Sequence, residues 1–291
     1  MDKKSIRLPI AAIVLTFNEE QNLDACLSSV ASWVDELYVL DSGSRDGTLA
    51  VAARYGAHIF YHPFEAHTQQ WMWALEHLPL TNDWVLGLDA DQRIPAELRD
   101  ELAALFSSGD DALREVNGFF IKRRQIWRGR WIKHGTYYPK YLLKLFRKQC
   151  VHLNAQDLMD HHFYVTGGTR NLQHDLIEEN RKENDITFWS EKHLRYARLL
   201  AQEEFLKRNS AQQGIVTATF WGNPDQRVLW LKQRWYSLPL YVRPFLYFIY
   251  RYVFRLGILD GKQGFVFHFL HAFWFRLLVD IHLDDLTHGR N

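Results

Sequence analysis

Cysteine is almost missing from this sequence: Cys26 and Cys150 are the only two in 291 residues, and they form no CxxC pair. That excludes a disulfide framework and argues against a cysteine zinc site, and it fits a reducing compartment. A dominant charge is missing as well. Lys and Arg total 35 against 34 Asp and Glu, a formal charge of +1, which gives no general attraction for nucleic acid. There is no internal repeat and no low-complexity tract, while 47% of the residues are hydrophobic. The chain can therefore bury one large core or two moderate ones. Clean apolar runs of membrane-spanning length are lacking too. The run after the basic start "MDKK" is short and meets Asn18, Glu19 and Glu20 without an A-x-A-like cleavage site, so it reads as a buried strand and not a signal peptide. Near the other end, "WYSLPLYVRPFLYFIYRYVFRLG" and "GFVFHFLHAFWFRLLVDIHL" are interrupted by Arg243, Arg251, Arg255, His268, His271 and Arg276. Neither offers the roughly 20 uninterrupted apolar residues of a span. Their aromatics interleaved with Arg suit helices lying in a headgroup zone, and packing on the rest of the chain or a homodimer interface fits the same pattern.

What is present alternates. Ile10–Phe17 has the composition of a strand, Asn18 with Gln21 makes a helix-capping pair, and Leu23, Cys26, Leu27 and Val30 recur at helical spacing. Leu37–Leu40 repeats the strand, Asp41–Gly47 is a turn rich in Gly, Ser and Asp, and a helix over Thr48–Tyr55 leads to a strand at Ala57–Phe60. In "NDWVLGLDADQRIP" a third long strand, Trp84–Leu88, ends on Asp89 and Asp91 before Pro95 opens a helix. Such units predict a parallel sheet whose carboxyl edge gathers Asp41, Asp89 and Asp91. Two carboxylates at i and i+2 share a face, so both can approach one hard divalent ion whose remaining ligands are phosphate oxygens; capping the next helix is their ordinary structural use. After a helix at Pro95–Phe106 come strands at Gly118–Lys122 and Leu142–Arg147. Between them Lys122, Arg123, Arg124, Arg128, Arg130, Lys133 and His134 mix with Trp127 and Trp131. That run is either a phosphate-contacting loop or a solvated basic one, and no nucleic-acid module accompanies it. An amphipathic helix covers about Phe188–Arg208, and Pro224, Pro239, Pro244 and Gly257 punctuate the chain beyond Trp221. The expected organisation is an α/β core over 1–150, a mixed α+β lobe over 151–215, and aromatic amphipathic helices over 216–291.

Three ordered motifs, "IVLTFNEEQNLDACLSSV", "VLDSGSRDGTLAVA" and "DWVLGLDADQ", resemble the nucleotide-binding half of inverting family-2 glycosyltransferases with the Rossmann-like GT-A fold. "YYPKYLLKLFR", "DLMDHHFYVTGG" and "FWSEKHLRYA" are similar to a bacterial subgroup that includes lipopolysaccharide-core glucosyltransferases of the WaaE type. The resemblance implies a nucleotide-sugar donor, UDP-linked, and a lipid-linked or lipopolysaccharide acceptor. It also implies a place on the inner face of the cytoplasmic membrane. Thr16, Asn18, Glu19, Asp41 and Ser42 would hold the nucleotide, Asp41 accepting from the imide of the base. Asp89 and Asp91 would hold donor and metal, Mg²⁺ or Mn²⁺. Asn18 is expected to cap its helix as well, and capping is the expected role of Asp46. Inversion in a single displacement needs one general base. Asp160 is the first candidate, with His161 and Asp157 behind it, while His162 is expected to be a buried structural histidine. The sequence departs from the family at Trp71 and Met72, where many relatives carry a basic residue and Asn, and at Gln92, where a Glu often follows the second acid. Two other readings stay open. A nucleotidyltransferase would carry a Gly-rich basic loop after the first strand, where this chain has the acidic, Gly-free "TFNEEQN"; a noncatalytic membrane or glycan-binding protein would turn over no nucleotide sugar.

Overall fold

The computed structural model describes residues 7–107, 112–153, 162–209, 234 and 237–289. They belong to two compact units, one running to Ile186 and the other from Thr187. The first unit is built on β1 (Leu8–Thr16), a strand buried without alternation from Ile10 to Val14. A strand covered on both faces needs such a continuous apolar run. β2 (Val34–Asp41), β3 (His58–Tyr61) and β4 (Trp84–Asp89) lie parallel to it in the order β3-β2-β1-β4. The connections are α1 (Glu20–Val30), α2 (Thr48–Arg54) and α3 (His67–His77). α1 buries Leu23, Cys26, Leu27 and Val30, the face read from the sequence.

Beyond β4 the sheet continues in mixed sense. β8 (Tyr141–Arg147) runs antiparallel to β4, and β6 (Val116–Trp127) runs antiparallel to β8. β11 (Gly168–Glu178) is parallel to β6, and the two-residue β5 (Gln92–Arg93) closes the edge. β7 (Arg130–Trp131) folds back on the end of β6, and α4 (Ala96–Ser107) follows β5. Successive β4 residues feed opposite layers: Leu86 and Leu88 pack with α1 and α4 side chains, Val85 with Trp71 and Ala74 of α3. Because β11 joins this sheet, the first unit runs on to Ile186. β6 also outruns the expected Gly118–Lys122 and carries its cations through to Trp127.

The second unit holds α6 (Ile186–Asn209), α7 (Arg243–Ile249), α8 (Gly261–His268) and α9 (Phe275–His288), counting the short α5 (Ala112–Glu115) of the first. Pro244 stands in the first turn of α7, where its missing N–H costs nothing, and so opens a helix instead of breaking one. Gly257–His288 is helical throughout, 32 residues that include an 18-residue stretch with a mean hydropathy of 1.4, enough by length and composition to cross a membrane. The sequence reading denied it that length. The reason for the difference is that Lys262 and Arg276 bracket Gln263–Phe275, which carries no Asp, Glu, Lys or Arg. Phe275, Val279 and Leu283 pack against Ala197 and Ala201 of α6, whose small side chains admit the larger ones.

Candidate active site

The register of the sheet assembles the site. Thr16 pairs with Asp41 and Leu15 with Asp89, so the ends of β2, β1 and β4 stand side by side at one edge. Asp41 is buried and its carboxylate accepts four hydrogen bonds: from Thr16 Oγ1 at 2.9 Å, Ser44 Oγ at 2.5 Å, and the backbone N–H groups of Gly43 and Ser44, each at 2.8 Å. Four is the capacity of a carboxylate. Asp41 thereby shapes the turn after β2, and Gly43 supplies the positive φ of +94° that the turn needs. A nucleobase meeting Asp41 would replace one of these donors, and the Ser44 hydroxyl is the one that can rotate away without moving backbone. Ser42 accepts from Gln70 Nε2 at 2.9 Å; Gln70 itself is buried and locked to His62.

Asn18 does not cap α1. It adopts a left-handed φ of +54°, and its Oδ1 accepts from Arg45 N at 2.8 Å, tying the β1 end to the β2 turn. Its own N–H donates to Ser44 Oγ at 2.8 Å. Asp46 takes up capping, as expected of it: it accepts from Thr48 N at 3.1 Å at the start of α2 and from Glu20 N at 3.2 Å in the first turn of α1. Burial works to raise the Asp46 carboxyl, but the bonds from Thr48 and Glu20 outweigh it and hold it below the usual carboxylate range. Glu19 is engaged by Lys182 Nζ at 2.5 Å, which also donates to the Asn18 carbonyl at 3.0 Å. Lys182 lies in the turn Arg181–Asn184 after β11, too far along the chain for sequence spacing to link it to this edge.

Asp89 ends β4. Its Oδ2 sits 3.0 Å from Nζ of Lys144, a nearly wholly buried lysine on β8. Sequence reasoning passed over Lys144, whose one signal was a lone cation inside the apolar strand "YLLKLFR". Gln92 is buried, accepts from Asp89 N at 3.2 Å and donates to Glu178 Oε2 at 2.8 Å, while Glu178 also receives Arg123 at 3.0 Å. An amide suits this place. A glutamate at 92 would set two carboxylates against each other. The Asp91 carbonyl accepts from Glu179 N at 2.9 Å, fixing the turn that carries the second acid. Beneath the pair, burial pushes the Cys26 thiol far up, and the charges of Asp91 and Asp89 add to the shift. Among the described residues no cluster of three or more His, Cys, Asp or Glu side chains is placed to hold a metal ion. The acids here suit an ion that draws its other ligands from phosphate, which is how Mg²⁺ is ordinarily held.

The candidate bases Asp157, Asp160 and His161 lie outside the described residues. Their flanks do not: β9 (Val151–Leu153) and β10 (Phe163–Val165) pair with Leu153 opposite Phe163. The Phe163 ring stands 4.9 Å from Trp71 and 4.6 Å from Phe146. It also lies over Gly87, where a Cβ would come within 3.2 Å of both Phe163 and Trp71. Trp71 is thus a core residue, and Met72 is exposed. His162 is exposed, not the buried histidine expected, because it precedes β10 and faces away from that contact. Part of the basic run is answered within the sheet. Arg124 and Lys122 pair with Asp175 at 3.0 and 3.5 Å and Arg123 with Glu178, so three cations of β6 are matched by acids of β11. Lys133 and Arg124 lie over the Trp131 ring.

The family model for glycosyl transferase family 2 matches residues 11–175, more than half of the chain and the ends of β1, β2 and β4. The chain belongs to glycosyl transferase family 2. The chain is 38% identical over 105 residues to an uncharacterized glycosyltransferase of Rickettsia conorii, the match covering 36% of each chain. It is 32% identical over 123 residues to the lipopolysaccharide core biosynthesis glycosyltransferase LpsC of Rhizobium meliloti, covering 40% of this chain and 43% of that one. The matched stretches thus span less than half of the curated relatives. Among solved structures, S. aureus TarS 1-349 aligns over 96% of this chain and 91% of its own at 15% identity and a TM-score of 0.44. Glucosyl-3-phosphoglycerate synthase from Mycobacterium tuberculosis aligns over 74% and 85% at 14% identity and a TM-score of 0.43. Family membership favours the glycosyltransferase reading over the two others left open by the sequence, and the fold is the α/β fold expected.

Proposed function

We propose that this glycosyltransferase moves a sugar from a UDP-linked donor to a lipid-linked or lipopolysaccharide-type acceptor, with inversion, on the inner face of the cytoplasmic membrane. The observation that carries the reading is the pair Asp89 and Asp91 on the turn after β4, beside the pocket edge formed by Thr16, Asn18, Glu19, Asp41 and Ser42. Those residues receive the nucleotide, with the Ser44 hydroxyl giving way at Asp41. Asp89 and Asp91 hold a divalent ion, which when bound neutralises the charge that develops on the departing diphosphate. Lys144 fixes the Asp89 carboxylate at the end of its strand. The acceptor hydroxyl gives its proton to a base on the segment between β9 and β10, Asp160 first, His161 or Asp157 otherwise. The packing of Phe163 over Gly87, two residues before Asp89, supports bringing that segment to the acids. Similarity to LpsC supports an envelope glycan as acceptor.

Asp91→Asn is expected to abolish nucleotide release from UDP-sugars while leaving the melting temperature in place, and EDTA should reproduce the loss in the unaltered enzyme. Asp160→Asn should lower transfer roughly 10²–10⁴-fold with donor affinity kept. Full turnover in Asp91→Asn and in EDTA would remove the metal assignment; a near-normal rate in Asp160→Asn beside a dead His161→Ala would move the base by one residue.

A further inference from the structure

The second unit ends in a helical hairpin whose tip is apolar and uncovered. Its first arm is α7 with the π-helical turn Tyr250–Phe254; its second is the turn Gly257–Asp260 followed by α8. The arms pair by rings, Phe245 with Phe273, Phe248 with Phe269 and Tyr252 with Phe265. Leu256 reverses the chain at a φ of +60°. Gly257 lets the arms close, since a Cβ there would stand 2.6 Å from the His268 ring and 2.9 Å from the Arg251 carbonyl. The base of the hairpin is polar. Arg243 is buried between Asp280 and Glu204, at 2.5 and 2.8 Å, and α9 packs on α6. The tip is the reverse: Phe254 is 73% exposed, Leu259 56%, Ile258 54%, Val253 and Leu256 52% each. From Ser237 to Val279 the sequence has one acid, Asp260, and it is buried, whereas Arg255 and Lys262 at the tip are exposed.

We propose that the tip Val253–Lys262 inserts into one leaflet of an anionic bilayer, its apolar side chains entering the outermost acyl region and Arg255 and Lys262 meeting the headgroups. An apolar patch with exposed cations and no exposed acid is complementary to such a surface and to few protein surfaces. The seven-residue rise from Ile249 to Leu256 amounts to about 10 Å, enough for interfacial depth and far short of a span. The helix Gly257–His288 dips and does not cross, because its far half carries Asp280 in the buried pair with Arg243 and packs on the charged helix α6. Arg243 and Arg251, being buried, take no part in lipid contact. The insertion deepens the membrane side of the proposed function.

The test uses the full chain with Cys26 and Cys150 replaced by Ser, an environment-sensitive probe on Phe254→Cys, and vesicles of phosphatidylglycerol and phosphatidylcholine. Binding should blue-shift the probe, and shallow lipid-borne quenchers should outperform deep ones. Flotation should weaken with salt, fall roughly tenfold in Arg255→Gln/Lys262→Gln, and fall at least as far in Phe254→Ser/Leu259→Ser. Both pairs are exposed, so circular dichroism and UDP-sugar turnover should stay unchanged. An unshifted probe, quenching from both leaflets, or self-association through the tip without flotation would each overturn the insertion. A chain that floats yet glycosylates no lipid-linked acceptor would instead overturn the acceptor reading and leave the insertion standing.

Discussion

The candidate acids Asp89 and Asp91 stand out in the sequence because they lie two residues apart where a strand ends; the groups around them do not, because they arrive from distant strands. Lys144 reaches Asp89 only through the antiparallel pairing of β8 with β4, and Gln92 finds Glu178 only once β11 has closed on β5. Asn18 was misjudged for a related reason. A residue before a helix is ordinarily a cap, but here the turn after β2 offers the Arg45 N–H first. The same network makes Gln92→Glu informative. It would press a second carboxylate onto Glu178, costing about 1–3 kcal/mol at neutral pH. A carboxyl kept protonated by its neighbour restores the donor, so the loss should shrink as pH falls toward 4.5. Urea unfolding at the two pH values checks this, and equal losses at both would mean the bond carries little.

At the scale of elements, β1, β2 and β4 with α1 and α2 were legible, since those strands are continuous apolar runs and the turn after β2 is rich in Gly, Ser and Asp, whereas α3 was not read. β11 was not, because "GTRNLQHDLIE" shows neither an apolar run nor alternation; its place comes from acids matched to the cations of β6. The C-terminal helices were legible in kind but not in their pairing. Arg243, which looked like a surface cation, is the centre of a buried triad with Glu204 and Asp280. Arg243→Met should take from buried Asp280 the guanidinium it faces, while Glu204 keeps Arg208 at 2.6 Å, and cost about 3–5 kcal/mol in the second unit. Tryptophan fluorescence during denaturant unfolding would record it, and a change below about 1 kcal/mol would show that the acids find other partners.

For the whole molecule, the nearly balanced charge includes two histidines whose shifts oppose acid. Loss of water contact, and then the nearby His193, Arg251, His268 and Lys192, push His271 well below 6.5; desolvation and Arg198 lower His282. A histidine depressed in the fold stays neutral there while the unfolded chain takes up a proton. Their contribution is therefore complete above about pH 6.5 and is lost as pH falls below it. The melting temperature should decline on that side, less steeply in His271→Gln; an unchanged slope would place the acid sensitivity elsewhere. Lys144 has a consequence of a different sort, for the sequence of events in a catalytic cycle. Lys144 answers the Asp89 charge from inside the protein, which weakens the hold of the acid pair on a hard divalent ion until a diphosphate adds its own oxygens. On the proposed function, ion and nucleotide would then enter as one partner. Calorimetric titration of Mn²⁺ into the free enzyme should register almost no heat, the same titration with UDP present should register binding, and Lys144→Met should let the ion come first.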